Sequence, residues 1–189
     1  NTTHHDAHQA LVDISEAHIE LGARAHDVEY HPWIDIRDHP LTPKLPAKPF
    51  RFDISETFII PDGRPFYLKN ALGQSALCVR EIDRNTEDPA TIQFKLKHYK
   101  LIHDLMKQRY GFKQVFLLFI TTNETRHQNV LKWISEIFPS GCKWILTGAM
   151  HDHVKHGLST LPVSTDLFTD HYSRAGYPSF SLLTLRDVQ

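Results

Sequence analysis

The chain is poor in cysteine and methionine, with two of each in 189 residues. Cys78 and Cys142 stand far apart and form no Cys-x-x-Cys pair, so neither a zinc ribbon nor a disulfide scaffold is available. That scarcity fits a reducing, cytoplasmic setting. Long apolar runs are missing too. The longest, Val115 to Ile120, has the length of a strand, whereas a membrane span needs roughly 18–20 residues. No membrane partner is expected. No signal-peptide pattern is read at the start, and a chain opening at Asn1 rather than Met is expected to be a processed form or a fragment. An excess of charge is also absent. The 21 Lys and Arg against 22 Asp and Glu leave a formal net charge of −1, which excludes a globally basic nucleic-acid binder but not a local basic patch. There is no Gly-x-x-x-x-Gly-Lys-Ser/Thr loop, no Gly-x-Gly-x-x-Gly and no Gly-x-Ser-x-Gly elbow. Nucleotide cofactors and the commonest serine hydrolase signal are thereby set aside.

What is present is an ordinary globular composition, 41% hydrophobic and 23% charged, at a length suited to one domain. Residues 5–25 read as a helix, with Leu11, Ile14, His18, Leu21 and Ala25 at helical spacing. Asp13, Glu16 and Glu20 fall on the opposite, solvated face. Residues 28–36 read as a short strand or extended arm. The four prolines between Arg37 and Pro49 make a loop. Residues 58–60 and 65–68 read as strands around the turn Pro61-Asp62-Gly63, and 76–84 as a third strand. Asp88 caps a helix that begins at Pro89 and ends at Gly111. Residues 114–121 form a buried strand, 124–138 a helix and 143–147 a last strand. The order α-β-β-β-α-β-α-β predicts an α/β fold, a mixed central sheet flanked by helices. Residues 1–150 are expected to form this domain, and 151–189 a C-terminal extension packed on it or partly irregular.

Three carboxylates can meet in such a frame. Asp62 sits in the turn, while Glu81 and Asp83 lie two apart on the third strand and so project from one face. Two acids on a central strand are costly unless paired or metal-bound, and carboxylates are the ligands Mg²⁺ and Mn²⁺ prefer. The competing readings are a plain Pro-Asp-Gly turn and acids paired with Arg64, Arg80 or Arg84.

An Asp at a turn followed by Glu-x-(Lys or a substitute) on the next strand resembles the PD-(D/E)XK nuclease superfamily. The run Arg80-Glu81-Ile82-Asp83-Arg84-Asn85-Thr86-Glu87, with the Lys- and Tyr-bearing helix after it, resembles more narrowly the plasmid replication–relaxation protein family. The resemblance spans roughly residues 8–147. It implies a restriction-endonuclease-like core and a metal-dependent DNA endonuclease acting in plasmid or mobile-element replication or mobilisation. Asp62, Glu81 and Asp83 would hold Mg²⁺ or Mn²⁺. Asn85 stands where the narrower family usually has Gly, and Asn also tolerates left-handed backbone. Asp83 stands where the nuclease motif has its lysine, the group that stabilises charge on the phosphate. That departure supports the alternative, a catalytically inactive nuclease-fold module that binds DNA or a replication or relaxase partner. At 100° per residue from Ile92, Lys95 falls at about −60°, at the edge of the face packed on the sheet, and Lys97 at about 140°, toward solvent. Lys95 is therefore the expected substitute.

Between Gln93 and Lys113 there are six bases and one acid, against six acids and one arginine in residues 1–30. Lys97, Lys100 and Lys107, with Arg84 beside the carboxylates, are the expected phosphate contacts. A homodimer is an admissible assembly. Of the fourteen histidines, His8 on the first helix is placed to join the metal ligands, and His18 falls on the apolar stripe. His151, His153 and His156 approach the His-x-His-x-Asp-His zinc motif of metallo-hydrolases, but Lys155 replaces its aspartate and counts against zinc.

Overall fold

The computed structural model describes residues 2–39, 42–150 and 166–188. Helix α1 (Thr2–Ala25) is followed by strand β1 (Glu29–His31) and the short helix α2 (Trp33–Arg37). A separate hairpin, β2 (Phe52–Ile54) and β3 (Thr57–Ile59), precedes β4 (Asp62–Lys69) and β5 (Ser75–Asp83). Helix α3 (Pro89–Tyr110), β6 (Val115–Thr121), α4 (Glu124–Ile137) and β7 (Ile145–Ala149) complete the central part. After residue 165 come α5 (Asp166–Thr169), β8 (His171–Arg174), β9 (Tyr177–Ser181) and β10 (Arg186–Asp187).

The main sheet has eight strands in the order β1-β4-β5-β6-β7-β8-β9-β10. Its centre, β5-β6-β7, is parallel, because α3 and α4 supply the crossovers such pairing needs. The flanking pairs are antiparallel. The predicted mixed α/β sheet with helices on both faces is what forms. Alternation along β5 explains the layering. Ala76, Cys78 and Ile82 pack toward α1, whereas Leu77 and Val79 pack with Ile92, Leu96 and Tyr99 of α3. Strand β6 is buried along its whole length, as a central parallel strand is. Each Leu or Ile sealed in these two layers contributes about 1.5–3 kcal/mol.

Several expectations are corrected. Residues 58–60 do not join a meander. Residues 57–59 pair with β2 instead, and β1 takes the outer position beside β4. Three-residue strands carry too little alternation to reveal a partner. The segment 28–36 divides at Pro32 into β1 and α2, since Pro starts a helix more readily than it continues a strand. Asp62 is the first residue of β4, not a turn residue. Gly63, at φ 68°, and a register shift between Asp62 and Phe66 produce the bend that Pro-Asp-Gly announces. On α1 the buried stripe runs through Leu11, Val12, Ser15, Ile19 and Ala23, so Leu21 is left 42% exposed and Glu16 faces the sheet.

Asp88 caps α3 by accepting from Thr91 N at 2.8 Å, and Gly111 ends it in the left-handed region. Asn85 adopts φ 61°, the left-handed conformation that Asn tolerates, and its N–H donates to Asp83 Oδ1 at 2.9 Å.

Candidate active site

The site lies at the C-terminal end of β5, where β4, α1 and α3 converge. Asp62 is held from two sides. Its Oδ1 is 3.0 Å from His8 Nε2 on α1, and its Oδ2 accepts from Ile82 N at 2.8 Å. The strand bend at Gly63 turns the Asp62 carboxylate toward β5, and a two-turn offset along α1 from Ser15 brings His8 to it. Only small groups fit here: a Cβ on Gly63 would run into Arg80 Nη2 and Val12.

Glu81 is 2% exposed and both its oxygens are engaged. Lys95 Nζ donates to Oε1 at 2.5 Å and Tyr99 OH donates to Oε2 at 2.6 Å. Lys95 and Tyr99 are one turn apart on α3, hence in one row facing the strand. Lys95 also donates to Glu87 Oε1 at 2.8 Å. Burial, then the Asp62 charge, pushes the Glu81 carboxyl up to about 7, against the opposing pull of Lys95 and Tyr99. Burial draws Lys95 down, but Glu81 and Glu87 outweigh it and hold the ammonium above its ordinary value. The hydrogen bond to Asp62 raises His8, despite burial, with the Asp62 and Glu81 charges adding to it. Tyr99 is raised well above an ordinary phenol by burial and by Glu81. The group is a compact acid–base cluster with a surplus of negative charge over a low-dielectric floor.

Asp83 does not join it. Arg126, in the first turn of α4, grips the Asp83 carboxylate through Nε and at 3.4 Å through Nη2, and donates to Glu87 O at 2.7 Å. Asp83 is thus part of a buried ion pair joining β5 to α4. On the other face of β5, fully buried Arg80 donates to Glu16 Oε2 at 2.8 Å. Glu16 also accepts from Tyr30 OH at 2.8 Å. Glu16 is therefore a tie between α1 and the sheet.

Of the site residues expected from the sequence, His8, Asp62, Glu81 and Lys95 stand together and Asp83 does not. Tyr99 and Glu87 are partners that the sequence pattern does not announce. Tyr99 was legible as the residue one turn beyond Lys95; its hydroxyl was hidden by its place in the apolar stripe. The basic run of α3 is dispersed. Lys97 is exposed, whereas Lys100 donates to Ile137 O at 2.8 Å and lies over the Phe138 ring. Lys107 pairs with Asp104 at 3.3 Å, and Arg109 donates to the Pro49 and Arg51 carbonyls. Arg84 is half-buried just past β5. His18 is buried at 6% exposure within the core. His151, His153 and His156 lie outside the described residues.

Lys107 and Lys113 do share a groove of about 510 Å³, in the size class of a small ligand site, with Lys143, Arg174 and Arg186, lined also by Trp144 and bearing one carboxylate, Asp187. Among the described residues, no group of three or more His, Cys, Asp or Glu side chains is set to hold a metal ion. No described helix is long and apolar enough to cross a membrane. No family model, curated protein or solved structure matches this chain.

Proposed function

We propose that the Asp62–Glu81–Lys95 cluster is a phosphodiester-hydrolysing site of the PD-(D/E)XK nuclease type, on a restriction-endonuclease-like core, acting on DNA with Mg²⁺ or Mn²⁺. One observation carries the reading. Lys95 reaches Glu81 from α3 at 2.5 Å and so brings back, from a helix, the ammonium that Asp83 displaces from the strand. A two-carboxylate donor set would suit the metal. Mg²⁺ characteristically takes one or two carboxylates and keeps waters or substrate oxygens for its other positions. The Asp62 and Glu81 carboxylates, with Glu81 held up to about 7 by burial and by the Asp62 charge, are a pair of that kind. When bound, such an ion supplies Lewis-acid polarisation of a phosphodiester and an activated water.

The chain's own residues then have separable roles. Asp62 and Glu81 would hold the cation. Lys95 would offer its ammonium to the charge that builds on the phosphate. His8 keeps Asp62 in place and gives up its proton-dependent hold as pH rises. Tyr99 fixes the Glu81 rotamer. The cationic groove of Lys107, Lys113, Lys143, Arg174 and Arg186 lies at the start of β6, away from the Glu81 end of β5, and would offer a phosphate backbone a separate contact surface. Membership of the plasmid replication–relaxation group, and with it a role in plasmid or mobile-element replication, rests on the likeness of residues 80–87.

A second reading keeps the fold and drops the chemistry, leaving a DNA-binding or replication-partner module. It is favoured by one observation: both Glu81 oxygens and the Lys95 ammonium are already satisfied within the protein. The test is incubation with supercoiled, linear and single-stranded DNA in Mg²⁺ and in Mn²⁺, alongside Glu81→Ala. Cutting that is lost in the variant supports the nuclease. Binding without cutting in either metal sinks it and leaves the second reading.

A further inference from the structure

Helix α3 is apolar on two sides. Its inner side, through Ile92, Leu96, Tyr99, Ile102 and Met106, is sealed against the sheet. Its outer side bears Phe94, Leu101 and Leu105, which are 49%, 67% and 39% exposed. His98 lies in the same stripe, its ring centroid 3.8 Å from that of Phe94. Positions 94, 98, 101 and 105 step by four, three and four, the spacing of the seam through which two helices pack along their length. The protein's own sheet and α4 lie on the other sides of α3, so nothing among the described residues covers this one.

The charges beside the seam say what fits it. Lys97 and Asp104 sit two turns apart on one flank, both exposed, and Asp104, 86% accessible, keeps its second oxygen open beside the Lys107 contact at 3.3 Å. A second α3 laid antiparallel, with the twofold axis crossing near residue 100, sets Lys97 against Asp104 of the second copy. By symmetry the same pair forms again at the other end. That register also places Phe94 beside Leu105 of the second copy and the two Leu101 side chains next to each other. A parallel arrangement gives Lys97 no acid to face. The groove of about 540 Å³ between α3 and α4, lined by Lys97, Lys100, Leu101, Glu136 and Ile137, leaves room for the incoming carboxylate beside two ammonium groups.

We infer that the outer face of α3 is a self-association surface on which a second copy of this chain packs antiparallel. The inference is independent of the nuclease reading, since it uses none of Asp62, Glu81 or Lys95. Sedimentation velocity of the full chain from about 1 to 200 μM reads it directly, spanning the affinities of weak to moderate homodimers. The wild type is expected to dimerise, and Leu101→Glu to remain monomeric with an unchanged circular dichroism spectrum. Lys97→Asp and Asp104→Lys should each weaken the dimer by roughly fivefold to tenfold, and the double variant should recover it. A wild type that stays monomeric throughout, or a dimer indifferent to Leu101→Glu, overturns the surface. A double variant as weak as either single one overturns the antiparallel register.

Discussion

Lys95 Nζ and Glu81 Oε1 are 2.5 Å apart although they belong to different elements, a helix and the strand that precedes it. The contact ties a largely covered ammonium, its side chain 26% exposed, to a carboxylate that is almost wholly buried, so each group shifts the other's protonation. Much of the behaviour expected of the site follows from that coupling and from the Asp62–His8 pair beside it.

Replacing the ammonium is the most direct probe. Lys95→Ala is expected to leave the fold intact, because the side chain lies at the rim, and to lower DNA cleavage by about 10²–10³-fold, as loss of one charge-stabilising donor does. Lys95→Arg should recover part of it. Cleavage by Lys95→Ala at the wild-type rate in Mg²⁺ and Mn²⁺ removes Lys95 from the site.

Glu81 should cost stability at neutral pH. Its folded pKa of about 7 lies above the unfolded value near 4.3–4.5, so between those values the native state binds more protons than the unfolded state. Stability therefore falls as pH rises from about 4.5 to 7. Glu81→Gln removes that loss and should stabilise the protein at pH 8, by at most about 3 kcal/mol, while abolishing cleavage. The gain should shrink toward pH 4.5. Urea denaturation of both proteins at the two pH values decides the matter, and a Glu81→Gln protein less stable at pH 8 contradicts it.

Cation binding should strengthen with pH. A cation at Asp62 and Glu81 competes with the proton on Glu81, held up to about 7, and with protonated His8, whose pKa is raised above 6.5. Titration calorimetry with Mn²⁺ at pH 6 and pH 8 is expected to show at least a tenfold gain in affinity, the change that one proton released over part of that span allows. His8→Gln should bind better than wild type at pH 6. An affinity that does not change with pH speaks against both carboxylates as ligands.

Asp83 should behave as a structural residue. Arg126→Ala leaves its carboxylate buried without a counter-ion, held among the described residues only by the Asn85 N–H, and is expected to destabilise the protein by about 3–5 kcal/mol. Asp83→Asn should lower the melting temperature and leave Mn²⁺ affinity within a factor of about two, well under the tenfold that 1.4 kcal/mol represents. Loss of metal binding with an unchanged melting temperature would return Asp83 to the ligand set.

Gly63→Ala tests the bend that aims Asp62. The position has φ 68°, and an added Cβ meets Arg80 Nη2 and Val12. The expected outcome is a loss of about 2 kcal/mol or more, from left-handed strain and overpacking together, read from the denaturation midpoint.

The sequence by itself determined the alternation of β5 and β6 with α3 and α4, because period-2 and period-3.6 patterns and their caps are local properties of the chain. It also placed Glu81 and Lys95 toward one another, since strand parity and helical angle are arithmetic. Tertiary structure alone decided which acid met which base. Glu81 and Asp83 share one face of β5, yet the first meets Lys95 and Tyr99 of α3 and the second meets Arg126 of α4. That division depends on where two helices cross the strand, which no spacing within the strand records. The near-zero net charge resolves in the same way. The bases of α3 are separated by the elements they touch, and one of them, Lys107, gathers with Lys113, Lys143, Arg174 and Arg186 only because β8 to β10 fold back onto the sheet beside β7. Groove electrostatics depend on proximity in space, and for residues some eighty positions apart only the fold supplies it.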